Sequence, residues 1–144
     1  MKTKAEFWDT SALVPLCCQQ TASHDLRQRW RRASRVVVWW GASVEARCAF
    51  ARLQRDGLLN SAGVQQAITR LESMRLQWHE ITASEKVRAQ AEFLPDAYPL
   101  RAMDAFQLAA AVVWCNNNPK GRRFVCLDVR LAEAARQAGF SVIP

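Results

Sequence analysis

The apolar run at residues 36–40 (VVVWW) constrains the fold of this chain more than any other segment. A continuous β-branched and aromatic run suits a strand that is covered on both faces, as in a parallel sheet. Shorter apolar segments at 4–9, 76–82, 124–127 and 140–143 predict further strands, with helical segments between them. The alternation predicts one α/β domain over residues 1–144, with three α/β/α layers and a central parallel sheet of about five short strands.

The helices between these strands are predicted from apolar residues at helical spacing and from capping residues. Thr82 and Glu85 have the spacing of a capping box for a helix that begins near residue 85. Pro95 and Pro99 are expected to end this helix. Pro15 is expected in the first turn of the first helix. The predicted helices cover residues 12–17, 23–33, 44–57, 61–74, 85–94, 100–114 and 131–138.

Four carboxylates fall at corresponding ends of the predicted elements. Two follow strands, and two lie in the first turns of helices. Because the carboxyl ends of parallel strands meet at one edge of a sheet, we expect all four on the same rim. They are Asp9, Glu45, Asp104 and Asp128.

Such a cluster predicts a bound cation. Four negative groups close together repel one another and take up protons unless a positive charge is supplied. Carboxylate oxygens suit a hard ion such as Mg²⁺ or Mn²⁺, which can activate water and neutralise a phosphoryl group during phosphodiester hydrolysis. Each acid also has an ordinary explanation, because Asp9 and Asp128 can form turns and the other two can start or cap helices.

Basic and aromatic residues favour a nucleic-acid partner. The chain has 20 Lys and Arg against 13 Asp and Glu, a net charge of +7, and such a surface favours a polyanion. Arg27 and Arg31 on the second helix are candidates for contact with an RNA backbone, although a solvated helix face also explains them. Arg101 lies close to the acidic rim and is a stronger candidate for a phosphate. Trp39 and Trp40 should alternate faces, which leaves one of them to stack on a base or a partner. The basic segment carries Arg27, Arg29, Arg31, Arg32 and Arg35.

Several other kinds of site are not predicted. Catalysis led by histidine is hard to build from His24 and His79, which fall away from the rim, and neither glycine-rich nucleotide-binding motif occurs. The five cysteines lack C-x-x-C spacing, so we expect no zinc site or disulfide framework, with an exposed thiol at Cys17 or Cys18. No window reaches the roughly 18 apolar residues of a membrane span, and no signal-peptide-like run begins the chain, so we expect a cytoplasmic protein without a membrane partner.

Five short motifs occur in order along the chain. Residues 9–13 (DTSAL) fit D-T/S-S-A-L, and residues 43–45 (SVE), followed by ARL at 51–53, fit an S-x-E helix. Residues 100–105 (LRAMDA) fit L-R-x-x-D-A. Residues 126–128 (CLD) end a strand on the acid Asp128, and residues 135–140 (ARQAGF) fit A-x-x-x-G-F. Together these motifs resemble the PIN domain, and within it the VapC-like toxins of bacterial toxin–antitoxin pairs.

The resemblance implies a Mg²⁺- or Mn²⁺-dependent ribonuclease that acts on tRNA or another structured RNA. It also implies a homodimer and a cognate antitoxin that covers the acidic pocket. Ser11 would be a polar neighbour of the site, and Gln107 stands where the family often has a His after the third acid. Glutamine can donate a hydrogen bond but cannot titrate. The catalytic and metal-binding roles fall, by motif, on Asp9, Glu45, Asp104 and Asp128.

Three functions therefore compete. The leading hypothesis is an endoribonuclease toxin of a toxin–antitoxin pair. The alternative is a PIN-like module that binds RNA or protein without cutting. A small-molecule phosphohydrolase on another α/β fold comes third, because an arginine-rich surface suits a polymer better.

Overall fold

The centre of the molecule is a sheet of short parallel strands. The computed structural model describes residues 4–144, so residues 1–3 of the predicted domain lie outside the described part. The sheet has the strand order β3-β2-β1-β4-β5, and every neighbouring pair is parallel. The five strands are β1 (Glu6–Trp8), β2 (Val36–Trp39), β3 (His79–Ile81), β4 (Arg123–Val125) and β5 (Ser141–Ile143).

Helices cover both faces of this sheet. The first four pack on the face of Trp8, and the last three pack on the face of Phe7. The three-layer α/β/α architecture predicted from the sequence is therefore confirmed. Within residues 4–144 the helices are α1 (Thr10–Cys17), α2 (Ser23–Arg32), α3 (Ala42–Arg55), α4 (Ser61–Arg75), α5 (Glu85–Ala97), α6 (Ala102–Trp114) and α7 (Val129–Ala138).

Strand β2 is buried on both faces, as its continuous apolar sequence predicts. Val36 and Val38 join the cluster on the α1–α4 side, whereas Val37 and Trp39 join the cluster on the α5–α7 side. Each fully buried side chain of this kind contributes roughly 1.5–3 kcal/mol relative to leaving it exposed. The alternation fixes the strand between the two helical layers. Trp40, in the turn that follows the strand, is exposed.

Helix α6 is the most deeply packed helix on its side of the sheet. Leu108 and the alanines at 109–111 are fully buried, which confirms the prediction of a central helix. Two polar side chains lie in its first two turns, Asp104 and the buried Gln107. Within residues 4–144, no helix combines the length and apolar character needed to cross a membrane.

Three predictions about the helices are wrong. Helix α5 continues through Pro95 to Ala97, because a proline in the last turns removes only one backbone hydrogen bond. Its N-cap is Ser84, which accepts from Val87 N at 3.2 Å, and not Thr82, which directly follows β3. Pro15 lies beyond the first turn because α1 already begins at Thr10.

Two further predictions about exposure and length also change. Cys17 and Cys18 are both buried, and the exposed thiol is that of Cys48 on α3. Strand β3 is shorter than residues 76–82, because the backbone amide of Trp78 still donates to Met74 O at the end of α4. The Trp78 ring nevertheless packs in the core.

Candidate active site

Asp9 lies at the point where β1 ends and α1 begins. Its Oδ2 accepts hydrogen bonds from the Ser11 amide at 3.1 Å and the Ser11 hydroxyl at 2.5 Å, so Asp9 is the N-cap of α1. Burial raises the pKa of Asp9, and the hydrogen bonds from Ser11 oppose that rise. Asp9 as a residue is 5% exposed, so its carboxyl is largely shielded from solvent.

Asp128 caps a helix in the same way at the end of the neighbouring strand. Its Oδ1 accepts from Leu131 N at 2.9 Å, at the start of α7. The Ser11 hydroxyl oxygen accepts from the backbone amides of Leu127 at 2.9 Å and Asp128 at 3.3 Å. One side chain thus connects the two strand ends that carry acids, which places Ser11 beside the site as predicted.

Glu45 lies in the first turn of α3 and interacts with Gln107 from the opposite helical layer. Gln107 Nε2 donates to Glu45 Oε1 at 3.1 Å and to the Thr10 hydroxyl at 2.9 Å. Burial raises the pKa of Glu45 to about 7, with a further contribution from the charges of Asp9 and Asp104, while the Gln107 hydrogen bond opposes the shift. Near neutral pH both the protonated and the ionised forms of this carboxyl are therefore populated.

Asp104 lies in the first turn of α6. Its Oδ2 accepts from the backbone amide of Arg101 at 3.3 Å, which joins the helix start to the preceding turn. The Asp104 carboxyl is half-buried, and the Arg101 side chain is exposed. The negative charge of Asp104 contributes to the raised pKa of Glu45.

The four acids line one cleft of about 830 Å³, which we call the acidic cleft. Parallel topology therefore brings together the four carboxylates that the sequence places at the ends of strands and helices. The same cleft is lined by Arg52, Arg101 and Arg130, of which only Arg101 was predicted. Arg52 could have been found from the sequence, because it lies seven residues after Glu45 and so on the same helical face.

Two further neighbours of Asp9 were not predicted. Thr10 is buried, and its hydroxyl accepts a hydrogen bond from Gln107 Nε2 at 2.9 Å. The Cys126 sulfur lies 3.6 Å from Asp9 Oδ2. Burial, with the charge of Asp9, raises the pKa of Cys126 well above its usual range, so it remains a neutral thiol beside the carboxyl. Thr10 lies within the DTSAL motif and Cys126 within CLD, but their contacts depend on tertiary packing and could not be predicted from the sequence.

Solved structures share this arrangement of elements. VapC20 of Mycobacterium tuberculosis, described as a toxin that cleaves the sarcin–ricin loop, is 18% identical with a TM-score of 0.64, and the match covers 96% of this chain and 97% of that one. VapBC2 from Rickettsia felis, bound to a DNA fragment from its promoter, is 9% identical with a TM-score of 0.66 over 99% and 100%. A toxin–antitoxin complex from Klebsiella pneumoniae is 13% identical with a TM-score of 0.60 over 87% and 88%. The chain has a PIN-like fold. No protein-family model and no curated protein sequence matches it.

The donor set of this PIN-like site fits a hard divalent ion in its chemistry. Four carboxylates line one cleft, and carboxylate oxygens are the ligands that such an ion prefers. Burial first, and then the charges of Asp9 and Asp104, raise the pKa of Glu45. Within residues 4–144, no three His, Cys, Asp or Glu side chains already stand in a metal-ligating arrangement. Asp128 is exposed and Asp104 is half-buried, and each is engaged at a helix start, Asp128 by the amide of Leu131 and Asp104 by the amide of Arg101.

The other arginines proposed for RNA lie away from the acidic cleft of the PIN-like domain. Arg27 lines a separate cavity of about 500 Å³ and donates to Gln19, and Arg31 is exposed on α2. Arg29 has a different role, because it makes two hydrogen bonds at 2.7 and 3.2 Å to the fully buried Glu6. Arg29 is therefore a structural partner of β1, which the basic pattern of the helix could not reveal.

Proposed function

We propose that this protein is a divalent-metal-dependent endoribonuclease and the toxin of a toxin–antitoxin pair. The observation that carries the proposal is the meeting of four carboxylates in one cleft at the carboxyl edge of a parallel sheet. The similarity in fold to a toxin described as cleaving the sarcin–ricin loop supports a structured RNA as substrate, whether tRNA or another RNA.

In this proposal Asp9, Glu45, Asp104 and Asp128 would together hold one or two Mg²⁺ or Mn²⁺ ions. When bound, such an ion supplies charge neutralisation at the phosphoryl group and a lowered pKa for water. Ser11 keeps Asp9 oriented through its short hydrogen bond. Gln107 keeps the Glu45 carboxyl turned toward the cleft and, unlike histidine, takes no part in proton transfer.

The arginines of the cleft would bind the RNA backbone. Arg52, Arg101 and Arg130 are exposed and line the same cleft as the acids, so their charges can neutralise phosphates next to the one that is cut. Arg27 and Arg31 would contact more distant parts of a long RNA.

A cognate antitoxin and a homodimer complete the proposal. The likeness to a toxin–antitoxin complex from Klebsiella pneumoniae supports the antitoxin as a partner. If the gene lies beside a short frame that encodes a DNA-binding protein, expression of the toxin alone should stop growth, and expression of both should restore it. Growth unaffected by the toxin alone would contradict the toxin assignment.

The enzymatic claim can be tested with purified protein, total RNA and Mn²⁺. We expect discrete cleavage products from the wild type and none from the Asp9→Asn, Asp104→Asn double variant. Asparagine is as good an N-cap as aspartate, so this variant should keep its fold. The exposed Asp96 on α5 provides the control substitution Asp96→Asn, which should leave cleavage unchanged. Equal cleavage by wild type and double variant would assign the activity to a contaminant.

A non-catalytic RNA- or protein-binding module is the second candidate. The observation that favours it is that Asp9 and Asp128 already serve as helix caps, and that no three potential ligands among residues 4–144 are positioned together. A module of this kind would bind RNA without cutting it and would show no saturable binding of Mn²⁺. The proposed nuclease requires both RNA cleavage and saturable Mn²⁺ binding.

A further inference from the structure

A second, mainly apolar groove adjoins the acidic cleft. It has a volume of about 690 Å³, and we call it the aromatic groove because Trp39, Trp40 and Phe106 line it. Val44 and Met103 line both the aromatic groove and the acidic cleft. A polymer held in the cleft can therefore extend directly into the groove.

The aromatic residues of the groove have unequal exposure. Trp39 and Phe106 stack on each other with ring centroids 5.3 Å apart and an interplanar angle of 4°, which buries the Trp39 indole. Trp40 stands edge-on to Trp39 at 6.3 Å and 72°, and it remains 55% exposed. Trp40 thus presents an exposed indole surface beside the site.

The backbone holds Trp40 in place. Its amide donates to Ile81 O at 3.0 Å, which extends the pairing of β2 with β3 by one residue beyond Trp39. The backbone of Trp40, in the turn that follows β2, is therefore held against the sheet edge, and its backbone needs little ordering when a flat ligand stacks on the indole.

The polar groups at the rim of the groove are already engaged. The Ser84 hydroxyl accepts from Val87 N, and Glu85 pairs with Arg88. The groove therefore offers a flat aromatic surface with few groups left to read the hydrogen-bonding edge of a base. Stacking on aromatic side chains tolerates every base, because each base has a π-face.

We propose that the aromatic groove binds an unpaired nucleobase of the RNA, next to the phosphodiester in the acidic cleft, by stacking on Trp40. The inference rests on the proposed function, since it takes the acidic cleft as the site of the reacting phosphate. The shared wall of Val44 and Met103 makes the groove continuous with the cleft, and the exposed Arg101 on the cleft suits the phosphates of a nucleic-acid strand better than an apolar protein segment. The subsite should select single-stranded over paired nucleotides, with little preference among the four bases.

Binding of two fluorescein-labelled probes tests this subsite. One probe is a 12-nucleotide single-stranded RNA of mixed sequence, and the other is a 12-unit backbone of the same charge with a tetrahydrofuran spacer in place of every nucleoside. Fluorescence anisotropy is measured in the Asp9→Asn background, so that the RNA is not cut. Trp40→Ala, Trp40→Phe and the control Phe93→Ala are compared, because Phe93 is an exposed aromatic residue of α5 that does not line the groove.

We expect Trp40→Ala to weaken binding of the RNA about ten-fold, as the loss of one stacked base does, and to leave the spacer probe unchanged. Trp40→Phe should retain most of the affinity, and Phe93→Ala should have no effect. Wild-type affinity of Trp40→Ala for RNA, or an equal loss for both probes, would overturn the subsite. If Mn²⁺-dependent RNA cleavage is seen but RNA binding does not depend on Trp40, the proposed function stands and the subsite is wrong. If Trp40→Ala weakens binding of the RNA but not of the spacer probe, and the protein never cuts RNA, the subsite stands and the proposed nuclease is wrong.

Discussion

The amide nitrogen of Gln107 lies 3.1 Å from Oε1 of Glu45, so a side chain that cannot titrate donates to an acid of the cleft. Gln107 is 1% exposed, and the same nitrogen donates to Thr10. This pair joins helix α6 to helix α3 across the edge of the sheet.

Replacing Gln107 with leucine keeps the volume and removes both hydrogen bonds. We expect Gln107→Leu to lower the free energy of unfolding by about 1–2 kcal/mol. Urea denaturation measures the change, with Gln65→Leu on the exposed face of α4 as the control. If the two variants are equally stable, the contact with Glu45 contributes nothing to the fold.

The raised pKa of Glu45 predicts a pH-dependent stability in the absence of divalent ions. The folded state keeps the Glu45 proton up to about pH 7, whereas the ordinary value is 4.5, so ionisation of Glu45 destabilises the fold as pH rises between these values. Glu45→Gln should therefore be more stable than wild type above pH 7, by about 1–2 kcal/mol after allowance for its partial exposure.

The difference in the free energy of unfolding between Glu45→Gln and wild type should disappear as pH falls toward 4.5. Unfolding in EDTA at several pH values measures it, and Glu85→Gln provides an exposed control. A stability difference between Glu45→Gln and wild type that stays constant from pH 5 to pH 8 would contradict the raised pKa.

Two neighbouring arginines of α2 should behave differently. Arg29 is paired with the buried Glu6, which also accepts from Trp8 Nε1 at 3.1 Å, whereas Arg31 is exposed. We expect Arg29→Ala to destabilise the fold by about 2 kcal/mol, since Arg123 remains near Glu6 at 3.4 Å. Arg31→Ala should leave thermal stability unchanged and weaken RNA binding. The reverse pattern would show that the assignment of the two residues is wrong.

We expect substitution of Ser11 to lower metal affinity more than it lowers the stability of the fold. Its hydroxyl donates to Asp9 and accepts from the amides of Leu127 and Asp128. Because groups that orient metal ligands typically contribute 10–100-fold, we expect Ser11→Ala to lower Mn²⁺ affinity by roughly that factor. Isothermal titration measures the affinity, and Ser34→Ala on the surface is the matched control. Unchanged Mn²⁺ affinity in Ser11→Ala would remove Ser11 from the site.

The sequence predicted those features that depend on local pattern and on parallel topology. The run at 36–40 predicted a strand covered on both faces, because only a buried sheet accommodates that many consecutive apolar residues. The positions of Asp9 and Asp128 after strands then predicted their common edge, and the cleft confirms that all four acids share it.

Features that depend on packing between distant segments could not be predicted. Nothing in the sequence indicates that Glu6 is buried. Its burial depends on ion pairs with Arg29 and Arg123, which are distant in the sequence. The partners of Gln107 lie 62 and 97 residues away. The buried state of Cys17 likewise follows from α4, where Met74 packs against it.

The binding of Mn²⁺ to the four carboxylates tests the central claim most directly. Electron paramagnetic resonance can follow free Mn²⁺ during titration of the wild type, the Asp9→Asn, Asp104→Asn double variant and Asp96→Asn. We predict saturable binding of one or two ions by the wild type and by Asp96→Asn, and its loss in the double variant. No saturable binding by the wild type, or the same binding by the double variant, would contradict a metal-dependent site in the acidic cleft.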